Sequence, residues 1–243
     1  MSIAGVDPSA GAGLLADIKT FEQHKVYGLG ISTAQTLQTE DCFFSIRWEK
    51  DIDIIQSIEK MLSYYDVKAV KIGIVQGLEA LEKIVTSIHN TNKDIKIIID
   101  PVIRSSSGYN FWNDDKKYGL LARILKMSYL ITPNFDEVIQ LVDSSEAKEA
   151  AKKISSYCNV LLKGGHNIQE PGVDYLFLEN EMVKFDRDQT VVFAKHGSGC
   201  VLSSAITANL ALGDDLVTAC KKAKLYTTRF LSVNTTLLSY HHV

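Results

Sequence analysis

The stretch Ile95-Lys96-Ile97-Ile98-Ile99-Asp100-Pro101-Val102 decides how this chain must be built. A strand with one wet face alternates apolar and polar residues. Here three isoleucines follow one another, so both faces need cover, as in parallel sheets flanked by helices. The run is short and β-branched, which favours strand over helix. Asp100-Pro101 ends it, because proline cannot donate to a sheet ladder.

Working outward, similar runs predict strands at residues 32–37, 69–74, 129–132, 160–163 and 175–178, besides 95–99. Between them lie amphipathic stretches. Leu14, Leu15, Ile18 and Phe21 share one face of a helix over 14–23. Residues 52–64, 78–88, 118–127, 137–141, 147–157, 201–212 and about 216–231 read as further helices. Strand–helix alternation means βαβ units with right-handed crossovers, hence an α/β protein: a three-layer α/β/α sandwich around a mostly parallel sheet. With no linker in view, the 243 residues are expected to form one domain. Ligands of such sheets bind beyond the carboxyl ends of the strands.

Bulk properties narrow the function. A net charge of −3 gives no electrostatic case for nucleic acid or an anionic membrane. No apolar run approaches a membrane span. Met1-Ser2-Ile3-Ala4-Gly5 runs straight into a glycine-rich turn rather than a leader. Cys42, Cys158, Cys200 and Cys220 are scattered, without a CxxC pair. That pattern argues against a zinc site or a disulfide framework and for a reducing compartment, so a cytoplasmic protein is expected.

Each predicted strand is followed by a polar or glycine-rich element. These are residues 5–13 (GVDPSAGAG), Gln38, Asp100-Pro101-Val102, Thr132-Pro133-Asn134 with Glu137, Lys163-Gly164-Gly165-His166, and His196-Gly197-Ser198-Gly199-Cys200. The last is the most informative. Glycines opening a helix let free backbone N–H groups converge on an anion, with the positive end of the helix dipole behind them. The plainer reading is a loop-to-helix turn. Cys200 lies in that first helical turn, where a thiol pKa is pulled down; alternatively it is a small packing residue. Asp100 and Glu137 can hold Mg²⁺ directly or through its waters. Against that, Asp100-Pro101 is also a strand terminator, and Asn134 with Glu137 is also a capping box. Lys163 can reach a phosphate as a point charge, or be a solvated strand-end lysine. His166 and His196 are by default surface or hydrogen-bonded histidines.

Two other phosphate-binding readings fail. Residues 11–16 match G-x-G-x-x-A, but Asp7-Pro8-Ser9-Ala10 separates them from the strand, and no acidic residue ends a second strand at the required distance. The P-loop pattern is absent, since Lys163 precedes its glycines.

Taken together, residues 2–21, Thr33-Ala34 with Gln38, Lys71-Ile72-Gly73, Asp100-Pro101-Val102, Thr132-Pro133-Asn134 with Glu137, Lys163 to His166 and His196 to Cys200 resemble the ribokinase-like superfamily. Within it they are similar to the hydroxymethylpyrimidine/phosphomethylpyrimidine kinases of thiamine biosynthesis, in that family's order and over nearly the whole chain. The resemblance implies an ATP- and Mg²⁺-dependent phosphotransferase acting on 4-amino-5-hydroxymethyl-2-methylpyrimidine and its monophosphate. It implies that Gly5, Asp17 and Gln38 contact the pyrimidine. Lys163 with Gly197, Ser198, Gly199 and Cys200 would hold the phosphoryl group, and Asn134 and Glu137 would organise Mg²⁺ and the nucleotide phosphates. Most of the superfamily carries an aspartate base where Cys200 stands, and the pyrimidine kinases carry cysteine.

The chain departs from the family at Gln38-Thr39-Glu40, where Gln-Asn-Thr is usual, and at Ile74, where methionine is common. It also departs at Ser105-Ser106-Ser107, in the approach formed by residues 191–195, and in its short first strand and short C-terminus. The rival enzyme is a pyridoxal or pyridoxine kinase. Gln38 favours the aminopyrimidine, whose edge matches an amide donor–acceptor pair. A non-catalytic pyrimidine-binding module is the rival from another class, and it would not need Asn134, Glu137, Lys163 and the Gly197–Cys200 set. The oligomeric state is open, a homodimer included.

Overall fold

A computed structural model describes residues 1–104, 108–112, 118–179 and 181–241; Ser105-Ser106-Ser107 therefore lie outside the described residues. Nine described strands form one sheet in the order β3-β2-β1-β4-β5-β6-β7-β8-β9. They are β1 (Ser2–Val6), β2 (Gly30–Gln38), β3 (Phe43–Trp48), β4 (Ala69–Ile72), β5 (Lys96–Ile99), β6 (Leu130–Ile131), β7 (Asn159–Leu162), β8 (Asp174–Phe177) and β9 (Met182–Phe185). From β2 to β7 all neighbours run parallel, and β3, β8 and β9 are antiparallel.

The helices are α1 (Gly13–Gln23), α2 (Asp51–Tyr64), α3 (Gly77–Thr91), α4 (Tyr118–Lys126), α5 (Phe135–Val142), α6 (Ala147–Ile154), α7 (Ser198–Ala211) and α8 (Leu216–Ser232). Successive strand residues point to opposite faces, and the core divides accordingly. Ile97 and Ile99 join Val70 and Ile72 in a cluster with Ile54, Ile58, Leu81, Ile84, Ile124 and Val138 from α2 to α5. Ile98 and Ala69 face the other way, against Leu202, Ala205, Ile206, Ala219 and Ala223 of α7 and α8. The layered α/β/α reading of the isoleucine run is thereby borne out.

Helix α7 is buried throughout residues 201–210. It packs on α1 and α8 and lies across β4 and β5. A helix apolar on all sides belongs inside, and its small residues allow the close approach.

Three details differ from expectation. β3 and β9 were not foreseen: Phe43–Trp48 is largely exposed at the sheet edge, and Met182–Phe185 mixes apolar with polar residues. β8 returns antiparallel to β7, because the chain between Leu162 and Asp174 holds only a short 3₁₀ turn (Gly164–His166). A parallel return needs a longer crossover. The strand expected over 69–74 stops at Ile72, before Gly73.

Candidate active site

The carboxyl ends of β1, β2, β4, β5 and β7 and the N-termini of α5 and α7 open on one cavity of about 930 Å³. That is large enough for a nucleotide and a small ring together. Of the residues singled out in the sequence, Gly5, Gln38, Asp100, Asn134, Glu137, Lys163, Gly197, Ser198, Gly199 and Cys200 all line it.

The loop entering α7 is built for close backbone approach. Gly197 is left-handed, with φ 74°, and caps the helix. A Cβ there would run into the Gly11 carbonyl oxygen and Ala12, so only glycine lets this loop seat on residues 11–12. A Cβ on Gly199 would lie 3.3 Å from Lys163 Nζ. The lysine ammonium therefore hovers over the helix N-terminus, and the two positive elements face the same space.

Lys163 is held there by carboxylates. Its Nζ donates to Asp100 Oδ1 at 2.8 Å and sits 3.8 Å from Glu137 Oε2. Asp100 is buried, also accepting from Thr132 Oγ1 and from Ser203 Oγ on α7 at 3.0 Å. Burial pushes its pKa up, but the Lys163 and Lys71 ammoniums and these hydrogen bonds outweigh it and hold the carboxyl below its ordinary value. The same balance keeps Lys163 charged, its pKa raised by Asp100 and Glu137 against burial. Glu137 behaves oppositely. Burial, with Asp100 adding to it, overcomes Lys163 and lifts its pKa to about 7.

The capping box is present in full. Asn134 Oδ1 accepts from the Asp136 and Glu137 N–H groups, and Glu137 Oε2 accepts from Asn134 N at 2.7 Å. Capping does not remove Asn134 and Glu137 from the cavity lining, so the cap and a place at the cavity coexist. Glu137 is a carboxylate pushed toward neutrality in a phosphate-sized space, a group that gains from an added cation. Asp100 has both oxygens engaged by Lys163, Thr132 and Ser203. A metal would reach it through water, or only by displacing Lys163.

Two expectations need correction. Asp17 does not touch the cavity. It is fully buried on α1 and accepts from Lys71 Nζ at both oxygens (2.7 Å each), from Ser2 Oγ (2.5 Å) and from Ser204 Oγ of α7 (2.6 Å). Three donor groups make four hydrogen bonds to this one carboxylate, so both of its oxygens are engaged inside the fold. Cys200 is also not lowered in pKa. Burial raises it, and Asp100 and Asp17 add to the rise, against Lys71 and the Gly13 backbone N–H. The helix terminus does not make a thiolate where carboxylates are buried nearby.

At the other end of the cavity, Gly5 faces Ile74. A Cβ on Gly5 would collide with the Ile74 side chain, and Thr33 Oγ1 fixes the Ile74 carbonyl at 2.7 Å. Gln38 ends β2 beside the bulge that turns the chain toward Phe43. Phe111 closes the wall, stacking edge-on to Phe43 and Trp48. The sequence reading missed Phe111 and gave Lys71 only as part of a motif. A lysine inside the apolar run Ala69-Val70-Lys71-Ile72 was the available signal, since a charge on a strand covered on both faces demands a buried partner. The reading also missed Arg187, Lys195 and Lys224, which line the same cavity. They sit in irregular or helical segments without any pattern that marks them.

A profile of the phosphomethylpyrimidine kinase family matches residues 7–242. The chain belongs to that family. The hydroxymethylpyrimidine/phosphomethylpyrimidine kinase of Aquifex aeolicus is 32% identical over 94% of this chain and 92% of the relative. The enzyme of the same name from Rhizobium meliloti is 32% identical over 93% of this chain and 87% of its own. Among solved structures, phosphomethylpyrimidine kinase from Clostridium difficile superposes with a TM-score of 0.79 at 33% identity, covering 94% of this chain and 96% of the other. Pyridoxal kinase from Staphylococcus aureus in complex with ADP gives 0.83 at 25% identity, covering 97% and 88%. The ribokinase-like fold expected from the motifs is thus the observed one. No described helix is long and apolar enough to cross a membrane.

Proposed function

We propose that this chain is the ATP-dependent kinase of 4-amino-5-hydroxymethyl-2-methylpyrimidine and its monophosphate in thiamine biosynthesis. One observation carries the reading. A single cavity is lined both by Gln38 and Gly5 and by a charge-neutralising centre of Lys163 and the α7 N-terminus. Phosphoryl transfer asks a protein for positioning and charge neutralisation more than covalent chemistry. Lys163 and the N–H groups of Gly197, Ser198 and Gly199 supply the neutralisation, aimed where charge gathers on the transferring group. Gln38 pairs with the aminopyrimidine edge, and Gly5, lacking a Cβ, leaves room for the Ile74 side chain that lines the same end of the cavity. Cys200 faces the substrate hydroxyl. Its raised pKa makes it a thiol in the resting enzyme, so it orients the hydroxyl first and accepts its proton only in the fraction that ionises.

ATP is the donor by relation to kinases whose structures hold ADP and AMP-PCP. The residues present also fit Mg²⁺. Glu137 and Asn134 would hold it together with nucleotide phosphates, and Asp100 would act through water. Such an ion neutralises phosphate charge when bound. The whole chain serves this one activity as one domain, in the cytoplasm.

The second reading, a pyridoxal kinase, is favoured by the likeness in shape to the Staphylococcus aureus and Bacillus subtilis pyridoxal kinases, each with a TM-score of 0.83. A coupled ADP-release assay with the pyrimidine alcohol, its monophosphate and pyridoxal, with and without Mg²⁺, decides between them. Greater kcat/KM for the two pyrimidines is expected. Preference for pyridoxal would replace the proposal, and no turnover with any of the three would sink the kinase reading.

A further inference from the structure

His196 precedes the donor loop and is not used by the chemistry above. Its Nε2 lies 2.9 Å from Asp7 Oδ2, and its side chain is 10% exposed. Its other nitrogen, Nδ1, is buried without a hydrogen-bond partner. The hydrogen therefore belongs on Nε2, where the carboxylate accepts it.

Asp7, 2% exposed, is the hub of the other glycine loop. Oδ1 accepts from Ser9 N, and Oδ2 accepts from Ala12 N at 2.9 Å; both accept from Ser9 Oγ. These bonds with His196 overcome burial and hold the carboxyl pKa down at about 2, so the bond to His196 is charge-assisted and shared with Ala12 on one oxygen. The contacts then close a ring. His196 leads through Gly197, Ser198 and Gly199 to Cys200. Gly197 in turn seats against the Gly11 carbonyl and Ala12, and Ala12 returns through its N–H to Asp7. The His196 ring also packs where a Cβ on Gly11 would stand.

We propose that His196 is a positioning residue. By donating Nε2–H to Asp7 it locks the phosphoryl-binding loop (196–200) to the substrate-side loop (7–13). It thereby sets the Cys200 sulfur and the loop N–H groups in register with the substrate hydroxyl. This rests on the kinase reading for its kinetic part and on geometry alone for its structural part. Neither loop loses its own contacts when the bond is cut; only their mutual placement loosens. A misplacement of about 1 Å costs roughly 10²-fold in rate, and it falls on kcat because neither ligand's own contacts are removed.

The test compares wild type, His196→Ala and His196→Gln. Glutamine returns an N–H donor near the Nε2 position without the ring. Two measurements are made: kinetics with ATP and the pyrimidine alcohol, and the rate at which iodoacetamide labels Cys200, read on its own peptide by mass spectrometry. His196→Ala is expected to lower kcat by roughly 10²-fold with both KM values little changed. It should also speed Cys200 labelling about tenfold, the equilibrium worth of one charge-assisted hydrogen bond. His196→Gln should recover most of both. If His196→Ala does not fold, His196→Leu carries the same test, since it fills the space of the ring but has no donor for Asp7 Oδ2, and the same losses are expected. Unchanged kcat, unchanged labelling, or glutamine no better than alanine overturns the proposal. If wild type phosphorylates none of the alcohols, the functional reading fails, and the labelling rates alone still decide the positioning claim.

Discussion

Removing the Asp17 carboxylate tests the correction made to its role. Asp17→Ala leaves the Lys71 ammonium, fully buried on β4, without its counter-charge, and leaves the hydroxyls of Ser2 and Ser204 without an acceptor. Breaking one side of a buried pair costs about 3–5 kcal/mol. For a chain of this size each kcal/mol moves the melting temperature by about 2–4 °C, so a fall of about 6–20 °C is expected. That is a large share of the roughly 5–15 kcal/mol that stabilises a typical domain. Urea unfolding followed by the fluorescence of Trp48 and Trp112 reads the loss. Asp17→Asn with Lys71→Met removes both charges at nearly the same volume and keeps an acceptor for the serines, so it should be clearly more stable than the single variant. Pyrimidine KM, measured on the folded fraction at low temperature, should stay near wild type. A cost below about 1 kcal/mol, or a double variant no better than the single, would refute the buried-pair reasoning. A large KM rise with intact stability would return Asp17 to the substrate.

Gln38→Leu should raise the pyrimidine KM by the cost of roughly 1–3 kcal/mol per unpaired ring group while melting is unchanged; unaltered kinetics would remove Gln38 from the ring. Glu137 binds its proton more tightly folded (pKa about 7) than unfolded (4.5). Its contribution is therefore fully present below about pH 4.5 and is lost as pH rises to about 7, a swing on the order of 3 kcal/mol. Glu137→Gln keeps the cap, should flatten that part of the urea-midpoint profile, and should weaken the Mg²⁺ dependence of turnover; an unchanged profile contradicts the assignment. If Cys200 accepts the hydroxyl proton, wild-type kcat should climb with pH toward its raised thiol pKa. Cys200→Ser should then lose about 10²–10⁴-fold, and Cys200→Asp should regain activity with the rise moved to acid pH. A fully active serine variant makes the thiol a packing group.

The fold was legible wherever a pattern had one physical cause. Ile97-Ile98-Ile99 needs cover on both faces, and it received cover from α2–α5 on one side and α7–α8 on the other. Gly197 was legible as the turn into a helix because it directly precedes a long apolar run, and it does adopt positive φ. β3 and β9 were not legible, since edge strands that are half exposed carry no clean alternation. The errors at Asp17 and Cys200 share a cause. Sequence position places a residue on an element but not on a face, and which face α1 turns to β4 depends on Lys71, a contact 54 positions away. The thiol pKa likewise depends first on burial and then on Lys71, Asp100 and Asp17, all distant in sequence.

The two buried charge pairs explain how a helix with no polar face finds its register. Burying ions costs desolvation, and a pair seldom repays it against well-packed apolar residues, so stability alone does not account for Asp17–Lys71 and Asp100–Lys163. Their contacts with α7 do. Ser203 donates to Asp100 and its neighbour Ser204 donates to Asp17. These are adjacent residues about 100° apart around the helix, each claimed by a different carboxylate under a different strand end. Sliding or rotating α7 by one residue would leave one acid without its hydroxyl and bury the other hydroxyl unpaired. The apolar packing of Val201, Leu202, Ala205 and Ile206 would resist such a slip far less, because small and medium apolar residues interchange at modest cost. The serine pair therefore fixes where the helix begins to point its N–H groups. Lys163, anchored by the same Asp100, stands at a set distance from that point. The placement of Lys163 beside the α7 N-terminus is in this sense decided one turn inside the helix, by Ser203 and Ser204, which do not line the cavity.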